Sequence, residues 1–431
     1  MPPRQMTDSS SSSRSSQSEP ITSQVQIVGG GLAGLSLAAA LGSAGITTLL
    51  VDQEAPVSAA AYSEATDNRT TALILNSINL LKACGAWEGC EEYATALTVM
   101  RIINLPRGRQ TKASTTDFDS RETETSPFGY NVPNAVLRRV LCQRLAQLSS
   151  VTHLTQTKMD GMRSSEDGWL LALSDSSKAT AQLTVGADGK NSLCRKTAGI
   201  RSMSWPYPQT AITCYIEHSK PHRNVSTETH YPAGPFTLVP MMGNRSSIVW
   251  VEETRLARKL LQQDEATFSK ALIEKIGGRL GSVKLFGRRG GFPLSAMLSN
   301  SFHGPRLALV AEAAHALPPI AAQGLNLSLR DIAVLAEALI DQHNNRLDLG
   351  DSTLLEDYDR ARRLDVVTRM AAADGLNRFA SNDSGILHGI RGLGLAAIRN
   401  FPPLRQFMMN TGMRSPGGTP ALMTGKKISP E

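Results

Sequence analysis

The stretch from Gln24 to Asp52 constrains the fold of this chain more tightly than any other. A short β-prone run, residues 24–28, ends in Gly29-Gly30-Gly31. An Ala- and Leu-rich helical stretch, residues 32–43, follows, and a second apolar run, residues 47–51, closes on Asp52. Strand, glycine turn, helix, strand and acid together predict a parallel strand pair with a right-handed crossover. Residues 25–51 carry no charge and so invite comparison with a membrane span. Gly29, Gly30, Gly31, Gly34, Gly42 and Gly45 interrupt that run, and its period changes from strand to helix to strand. A βαβ unit is the better reading.

Gly29, Gly31 and Gly34 form a GxGxxG turn. Gly29 allows the tight turn, Gly31 lets the backbone approach a pyrophosphate, and Gly34 lets helix and strand pack closely. The helix N-terminus offers unpaired N–H groups and the positive end of its dipole to phosphates. Asp52 can accept both hydroxyls of an adenosine ribose. Turn and flanks together point to dinucleotide binding, without separating FAD from NAD.

Two later motifs carry chemistry. Val185-Gly186-Ala187-Asp188-Gly189-Lys190-Asn191-Ser192 is followed by Arg195. Asp-Gly after a strand is by itself a common turn, but the wider GADGxxSxxR pattern is not. The third runs from Leu307 to His315, where the apolar strand at 306–310 delivers a carboxylate, Glu312, ahead of His315. Pro318-Pro319 and Gln323-Gly324-Leu325-Asn326 open a long helix through Arg330-Asp331.

Between these motifs the pattern is mixed. Residues 73–84 and 136–148 have helical spacing, while 151–157, 169–173 and 182–185 read as strands. Extended runs at 211–216, 226–231, 236–239 and 248–251 lack intervening helices, which suggests a separate antiparallel sheet. Residues 253–276 turn helical, 306–310 return as a strand, and 325–339 and 353–373 are helices. Residues 386–409 read as a broken, basic, amphipathic helical region.

The three motifs, in this order, resemble the FAD-dependent aromatic hydroxylases typified by para-hydroxybenzoate hydroxylase. The closer resemblance is to the ubiquinone-biosynthesis hydroxylases, the 2-polyprenyl-phenol hydroxylases, and it runs from about Val25 to about Gly412. It implies an α/β fold with an added antiparallel sheet: a Rossmann-like FAD-binding domain with an inserted β-sheet substrate domain and C-terminal helices. The implied divisions are a disordered Ser-rich tail at 1–23, a discontinuous FAD-binding domain at 24–204 and 296–380, a substrate domain at 205–295, and a basic helical region at 381–431.

The resemblance also implies roles for particular residues. Arg69, before Thr70-Thr71-Ala72-Leu73, and Asn134, with Arg138 beside it, would contact the cofactor. Asp188 and Glu312 would do so too, Glu312 through a ribityl hydroxyl, and the N–H groups of Gly324, Leu325 and Asn326 would face the reduced ring. Tyr231, Phe236, Pro240 and Trp250 fit substrate-domain strands that line a cavity, with core packing as the alternative for the three aromatics. No catalytic side chain is implied with certainty. His315, Pro318 and Pro319 would lie near the flavin, His315 as a base or as a loop-fixing hydrogen bonder. Two departures stand out: Ala311-Glu312 where the family usually has Gly-Asp, and Ala322 where Gly is usual.

The implied reaction is hydroxylation of a polyprenylated phenol by O2 through a flavin hydroperoxide, with NAD(P)H or another donor as reductant and Asp188 and Arg195 as candidate nicotinamide contacts. The alternatives are a flavin hydroxylase for a soluble aromatic acid and a non-catalytic FAD-binding subunit of a biosynthetic complex.

Charge bears on partners. Basic side chains outnumber acidic ones by five in residues 386–431, within a net charge of +7 for the chain. A basic end mixed with Leu, Ile, Phe and Met suits an anionic membrane surface, and hence peripheral contact on the inner face of a cytoplasmic membrane. No basic stripe through the body suggests nucleic acid. Cys84, Cys90, Cys142, Cys194 and Cys214 form no CxxC pair, which argues against zinc, any other metal centre and a disulfide framework. Residues 1–23 contain no apolar run for a secretory signal.

Overall fold

The structure, a computed structural model, describes residues 19–55, 67–105, 113–123, 126–166, 168–318, 323–381 and 418–428. Pro319, Ala322 and most of the basic C-terminal region lie outside these residues. In order the elements are β1 (Ile21–Val28), α1 (Leu32–Ser43), β2 (Thr48–Val51), β3 (Thr70–Ile74), α2 (Leu75–Ala83), α3 (Glu88–Glu91), β4 (Thr95–Leu97), β5 (Val99–Asn104), β6 (Ser114–Asp119), β7 (Gly129–Pro133) and α4 (Asn134–Leu145). Next come β8 (Val151–Leu154), β9 (Met159–Ser165), β10 (Gly168–Leu173), β11 (Lys178–Gly186), α5 (Leu193–Thr197), β12 (Ser202–His218), β13 (Val225–His230), β14 (Pro235–Met241) and β15 (Arg245–Glu253). The last are α6 (Thr254–Gln262), α7 (Glu265–Ile276), β16 (Val283–Ser299), β17 (His303–Gly304), β18 (Leu307–Leu309), β19 (His315–Ala316), α8 (Gln323–Asn344) and α9 (Ser352–Ser381).

The first sheet runs β17-β18-β11-β1-β2-β8, with β10 and β9 appended through β11. β1 pairs in parallel with β2, Val25 opposite Thr48, and with β11, Val25 opposite Leu183. The expected parallel pair is therefore present. Helix α1 is buried along nearly its whole length, from Ala33 to Ser43. Its small residues let it sit between the sheet and helices α4 and α8. β1 begins at Ile21, which pairs with Ala179. Residues 21–23 thus belong to the sheet, not to the expected tail, because β11 is long enough to offer them backbone partners.

The second sheet, β19-β16-β12-β15-β14-β13-β5-β6, is antiparallel except where β13 runs parallel to β5, Val225 opposite Val99. It differs from the expected 205–295 unit in two ways. Its core strands extend over 202–299, and β5 and β6 come from a segment assigned to the first domain. Strand β16 has no clean apolar alternation, since Gly287, Gly290, Gly291 and Pro293 interrupt it, and it is held by pairing along β12. The helical stretch at 253–276 breaks into α6 and α7 because the Asp264 side chain caps α7 by accepting from the Thr267 N–H at 2.9 Å.

One face of this sheet packs on α6 and α7, burying Ile212, Cys214, Phe236, Trp250, Phe268 and Leu272. The opposite face meets the first domain. Tyr215 there donates its hydroxyl to the carbonyls of Asp67 at 3.2 Å and Arg69 at 3.0 Å, and Asn68 donates to the Thr213 carbonyl at 2.9 Å. A third sheet, β3-β7-β4, sits beside this junction, where Asn131 donates to the Pro240 carbonyl at 2.8 Å. The C-terminal segment 418–428 returns to the first domain and buries Leu422 and Met423 in its core. Among the described residues no helix is long and apolar enough to cross a membrane.

Candidate active site

The glycine turn after β1 is shaped by contacts that only hydrogen side chains permit. Gly29 has φ +111°, and a Cβ there would lie 2.4 Å from the Ala187 carbonyl oxygen. A Cβ on Gly34 would lie 1.9 Å from the Gly29 oxygen. Nothing stands within 4 Å of the Gly31 Cβ position, so Gly31 leaves open space. Gly31 is also the N-cap of α1, with no side-chain cap and no acid in the first turn. The helix therefore presents bare N–H groups and a positive dipole end. Sequence reasoning missed Gly30, whose Cβ would fall 2.2 Å from Asp52 Cγ. That clash depends on the tertiary fold, and the motif spacing gives no sign of it.

A cavity of about 370 Å³ opens here, lined by Gly29, Gly31, Asp52, Arg138, Asp188 and Asn191 among others. Asp52 is 2% exposed. Its Oδ2 accepts from Arg138 at 2.7 Å, and its Oδ1 accepts from the Glu54 N–H at 3.0 Å. Burial pushes its carboxyl up, but His153, the Glu54 N–H and Arg138 outweigh burial and hold it below the usual carboxylate range. Arg138 also donates to the Gly30 carbonyl. One arginine thus spans turn and acid, and Asp52 meets the cavity as a carboxylate.

Asp188 faces the same cavity from the loop after β11. Its Oδ2 accepts the N–H groups of Leu193 and Cys194 at 2.7 and 3.1 Å. Its Oδ1 is buried with no hydrogen-bond partner among the described residues. Burial and this neighbouring carboxylate push the Cys194 thiol well above its ordinary value. A buried carboxylate oxygen in want of a donor suits a ligand hydroxyl. Arg195, weighed as a nicotinamide contact, is 4% exposed. It is spent on the Ala313 and Lys190 carbonyls at 2.7 and 2.8 Å, and so braces the two loops instead.

Arg69 and Asn134 lie where β3 meets α4. The Asn134 N–H donates to the Arg69 carbonyl at 3.1 Å, and its Oδ1 accepts from Thr71 at 2.7 Å. The Arg69 guanidinium is held by Asp67 at 2.9 Å and stands 5.3 Å from the Phe292 ring. The exposed Glu312 adds to the field that keeps Arg69 charged, after Asp67 itself.

Ala311, where the family pattern has Gly, adopts φ +54°. Its N–H donates to Asp331 Oδ2 at 3.0 Å, and His315 Nε2 lies 2.6 Å from the same oxygen. His315 is 2% exposed, so it fixes the loop and does not face the cavity as a base. Pro318 is buried as well. Gly324 and Leu325 open α8. The Asn326 side chain is turned inward: Oδ1 accepts from the Ile74 N–H at 3.1 Å and Ser77 at 2.8 Å, while Nδ2 donates to the Ala72 carbonyl at 2.8 Å.

The expected substrate residues need correction. Phe236 and Trp250 lie on the α6–α7 face, edge-on to each other at 6.0 Å, with Trp250 also 6.0 Å from Phe268. Tyr231 packs on Phe236 at 6.4 Å and donates to the Lys275 carbonyl at 3.1 Å. Pro240 shares that strand parity with Phe236. Strand alternation sends their neighbours Thr237, Val239 and Val249 to the face toward the first domain, where they are half-buried. Among the described residues no group of three or more His, Cys, Asp or Glu could hold a metal ion.

A family model described as FAD binding domain matches residues 22–374. The chain is 37% identical over 392 residues to the ubiquinone hydroxylase UbiL of Rhodospirillum rubrum, covering 90% of this chain and 89% of that protein. It is 29% identical over 385 residues to the 3-demethoxyubiquinol 3-hydroxylase of Escherichia coli, covering 89% and 96%. Among solved structures, p-nitrophenol 4-monooxygenase PnpA from Pseudomonas putida DLL-E4 superposes with a TM-score of 0.74 at 18% identity, over 91% of this chain and 98% of that one.

Proposed function

We propose, from the premise that this chain belongs to the FAD binding domain family, that it is an FAD-dependent monooxygenase that hydroxylates a polyprenylated phenol in ubiquinone biosynthesis. The observation that carries this reading is the 37% identity to a ubiquinone hydroxylase across 90% of the chain, cofactor motifs and second sheet alike.

The cavity's residues fit FAD on their own chemistry. The Gly29–Gly31 turn and the uncapped start of α1 would hold the diphosphate, and Asp52, steadied by Arg138, would accept the adenosine ribose hydroxyls. Asp188 Oδ1 would gain the donor it lacks from a hydroxyl of the cofactor. Arg69, Asn134, Glu312 and the first residues of α8, Gly324 to Asn326, would border the ring. Bound FAD supplies the activation of O2 and the delivery of one oxygen atom to an electron-rich ring.

The protein's share is to bind, orient and exclude water. The half-buried, largely apolar face that carries Thr237, Val239 and Val249 supports the reading that the phenol lies between this sheet and the first domain. NAD(P)H is the proposed reductant. Peripheral contact with a membrane is proposed for the basic residues of 386–431, and association with other biosynthetic proteins fits the same pathway.

The test is quinone profiling of a strain lacking this protein, together with a purified-enzyme assay. We expect one under-hydroxylated polyprenyl phenol to accumulate, and the yellow, FAD-loaded protein to add one hydroxyl to it with consumption of O2. An unchanged quinone profile together with an inert flavoprotein would overturn the reading.

A further inference from the structure

A second cavity lies apart from the glycine turn, where the third sheet, the first turns of α8 and strand β5 of the second sheet meet. It measures about 90 Å³, and its apolar lining is Leu73, Ile74, Leu97, Met100, Phe128 and Leu327. Leu73, Leu97, Phe128 and Leu327 are buried, whereas Met100 is 44% exposed. A flexible thioether thus marks the outer end of the cavity.

The polar side chains around it are committed to one another. Arg330 donates to Asp365 at 3.0 Å. Arg369 donates to Asp365 at 2.9 Å and to Gln323 at 3.0 Å. Asn326 accepts from the Ile74 N–H and from Ser77, and donates to the Ala72 carbonyl. What is left to meet a ligand is chiefly hydrocarbon, and such a surface takes hydrocarbon out of water. A cavity of about 150 Å³ accepts benzene, so by proportion this one accepts about four carbon atoms. That is most of one branched isoprene unit and too little for an aromatic ring.

The position of the cavity fits such an occupant. The two segments proposed to border the flavin ring run into its walls: the chain after Arg69 at Ala72 to Ile74, and the chain after Gly324 at Asn326 and Leu327. Met100 belongs to β5, so the cavity lies on the junction of second sheet and first domain in which the phenol is placed. We infer that it holds the first isoprene unit of the substrate's tail. Leu73, Leu97 and Phe128 surround the branched carbons, and the next unit leaves past Met100. The inference rests on the function proposed above and adds how a prenylated ring is told from a bare one.

The test is calorimetry on the FAD-loaded protein, without turnover, with phenol and 2-prenylphenol as probes. We expect 2-prenylphenol to bind at least about thirtyfold more tightly than phenol, within the worth of about four buried carbons. Leu97→Trp fills the cavity and should bring that ratio below about threefold, with the affinity for phenol unchanged. If Leu97→Trp does not fold, Met100→Asp decides: it sets a charge at the outer end on an exposed side chain and should cut the ratio at least about fivefold. Equal binding of the two probes would overturn the inference. So would a Leu97→Trp protein that melts higher and keeps the full preference, the mark of a mere packing flaw. A protein that hydroxylates a polyprenylated phenol yet shows no preference for 2-prenylphenol sinks the subsite alone. A preference that Leu97→Trp removes, in a protein that hydroxylates nothing, counts against the proposed function alone.

Discussion

Ala311 holds a backbone conformation that a Cβ disfavours, at φ +54°. A buried Asp331 oxygen receives its N–H at 3.0 Å and keeps the turn in place. Ala311→Gly should therefore stabilise the folded protein by about 1 kcal/mol, read as a higher midpoint in urea or heat. A lower midpoint would mean that the methyl packs better than the backbone suffers. Gly30 is the opposite case. Gly30→Ala drives a methyl into the Asp52 carboxylate, which Arg138 and the Glu54 N–H hold in place. We expect FAD affinity to fall at least about tenfold, or about 1.4 kcal/mol, with the fold retained. Flavin fluorescence quenching measures it, and an unchanged affinity would remove Asp52 from the ribose site.

At the scale of elements, α8 and α9 are joined by a buried network of charge. Asp331 accepts from Arg362 at 2.8 Å as well as bonding His315 and Ala311, and Asp365 accepts from Arg330, Arg362 and Arg369 at 2.8 to 3.0 Å. Burial pushes both carboxyls up, yet His315 and Arg362 for Asp331, and the three arginines for Asp365, leave both below the ordinary range. A depressed pKa gives stability that is present above the unfolded value, about 3.9, and lost as pH falls toward the folded value. Asp331→Asn should cost about 3 kcal/mol near neutrality, since it removes one of the two carboxylates that hold Arg362 and loosens His315. Its deficit against the native chain should narrow below about pH 4. Parallel melting curves down to pH 3 would refute this.

Much of this architecture was legible in the chain itself. The βαβ start was plain because one motif carries three periodicities in a row. Strand β16 was not, because its glycines and proline erase alternation and only pairing with β12 makes it a strand. Phe236 and Trp250 were known to sit on sheet strands, but alternation says which residues share a face and not which face meets the cofactor. The motif places the N–H groups of Gly324 to Asn326 toward the flavin, but it does not show that the Asn326 side chain is committed to β3 and Ser77, a tertiary fact beyond local spacing.

At the scale of the whole molecule, the two sheets are fastened through backbone carbonyls at 67–69, which accept from Tyr215. The C-terminal segment closes the first domain from the far side. Leu422 and Met423 are 3% and 0% exposed, Glu337 accepts the Leu422 N–H at 2.6 Å, and Asn79 donates to the Met423 carbonyl at 3.1 Å. Replacing both Leu422 and Met423 by Ala should destabilise the protein by about 4 kcal/mol or more. An unchanged unfolding midpoint would show that the segment merely rests on the surface.

This last contact sets an order on biosynthesis. Leu422 and Met423 complete a core that β1 begins, so that core cannot close until the segment that carries them has been made. Every nascent chain passes through a stage in which the seam beneath α2 and α8 is bare, and it is then that chaperones and proteases have their opening.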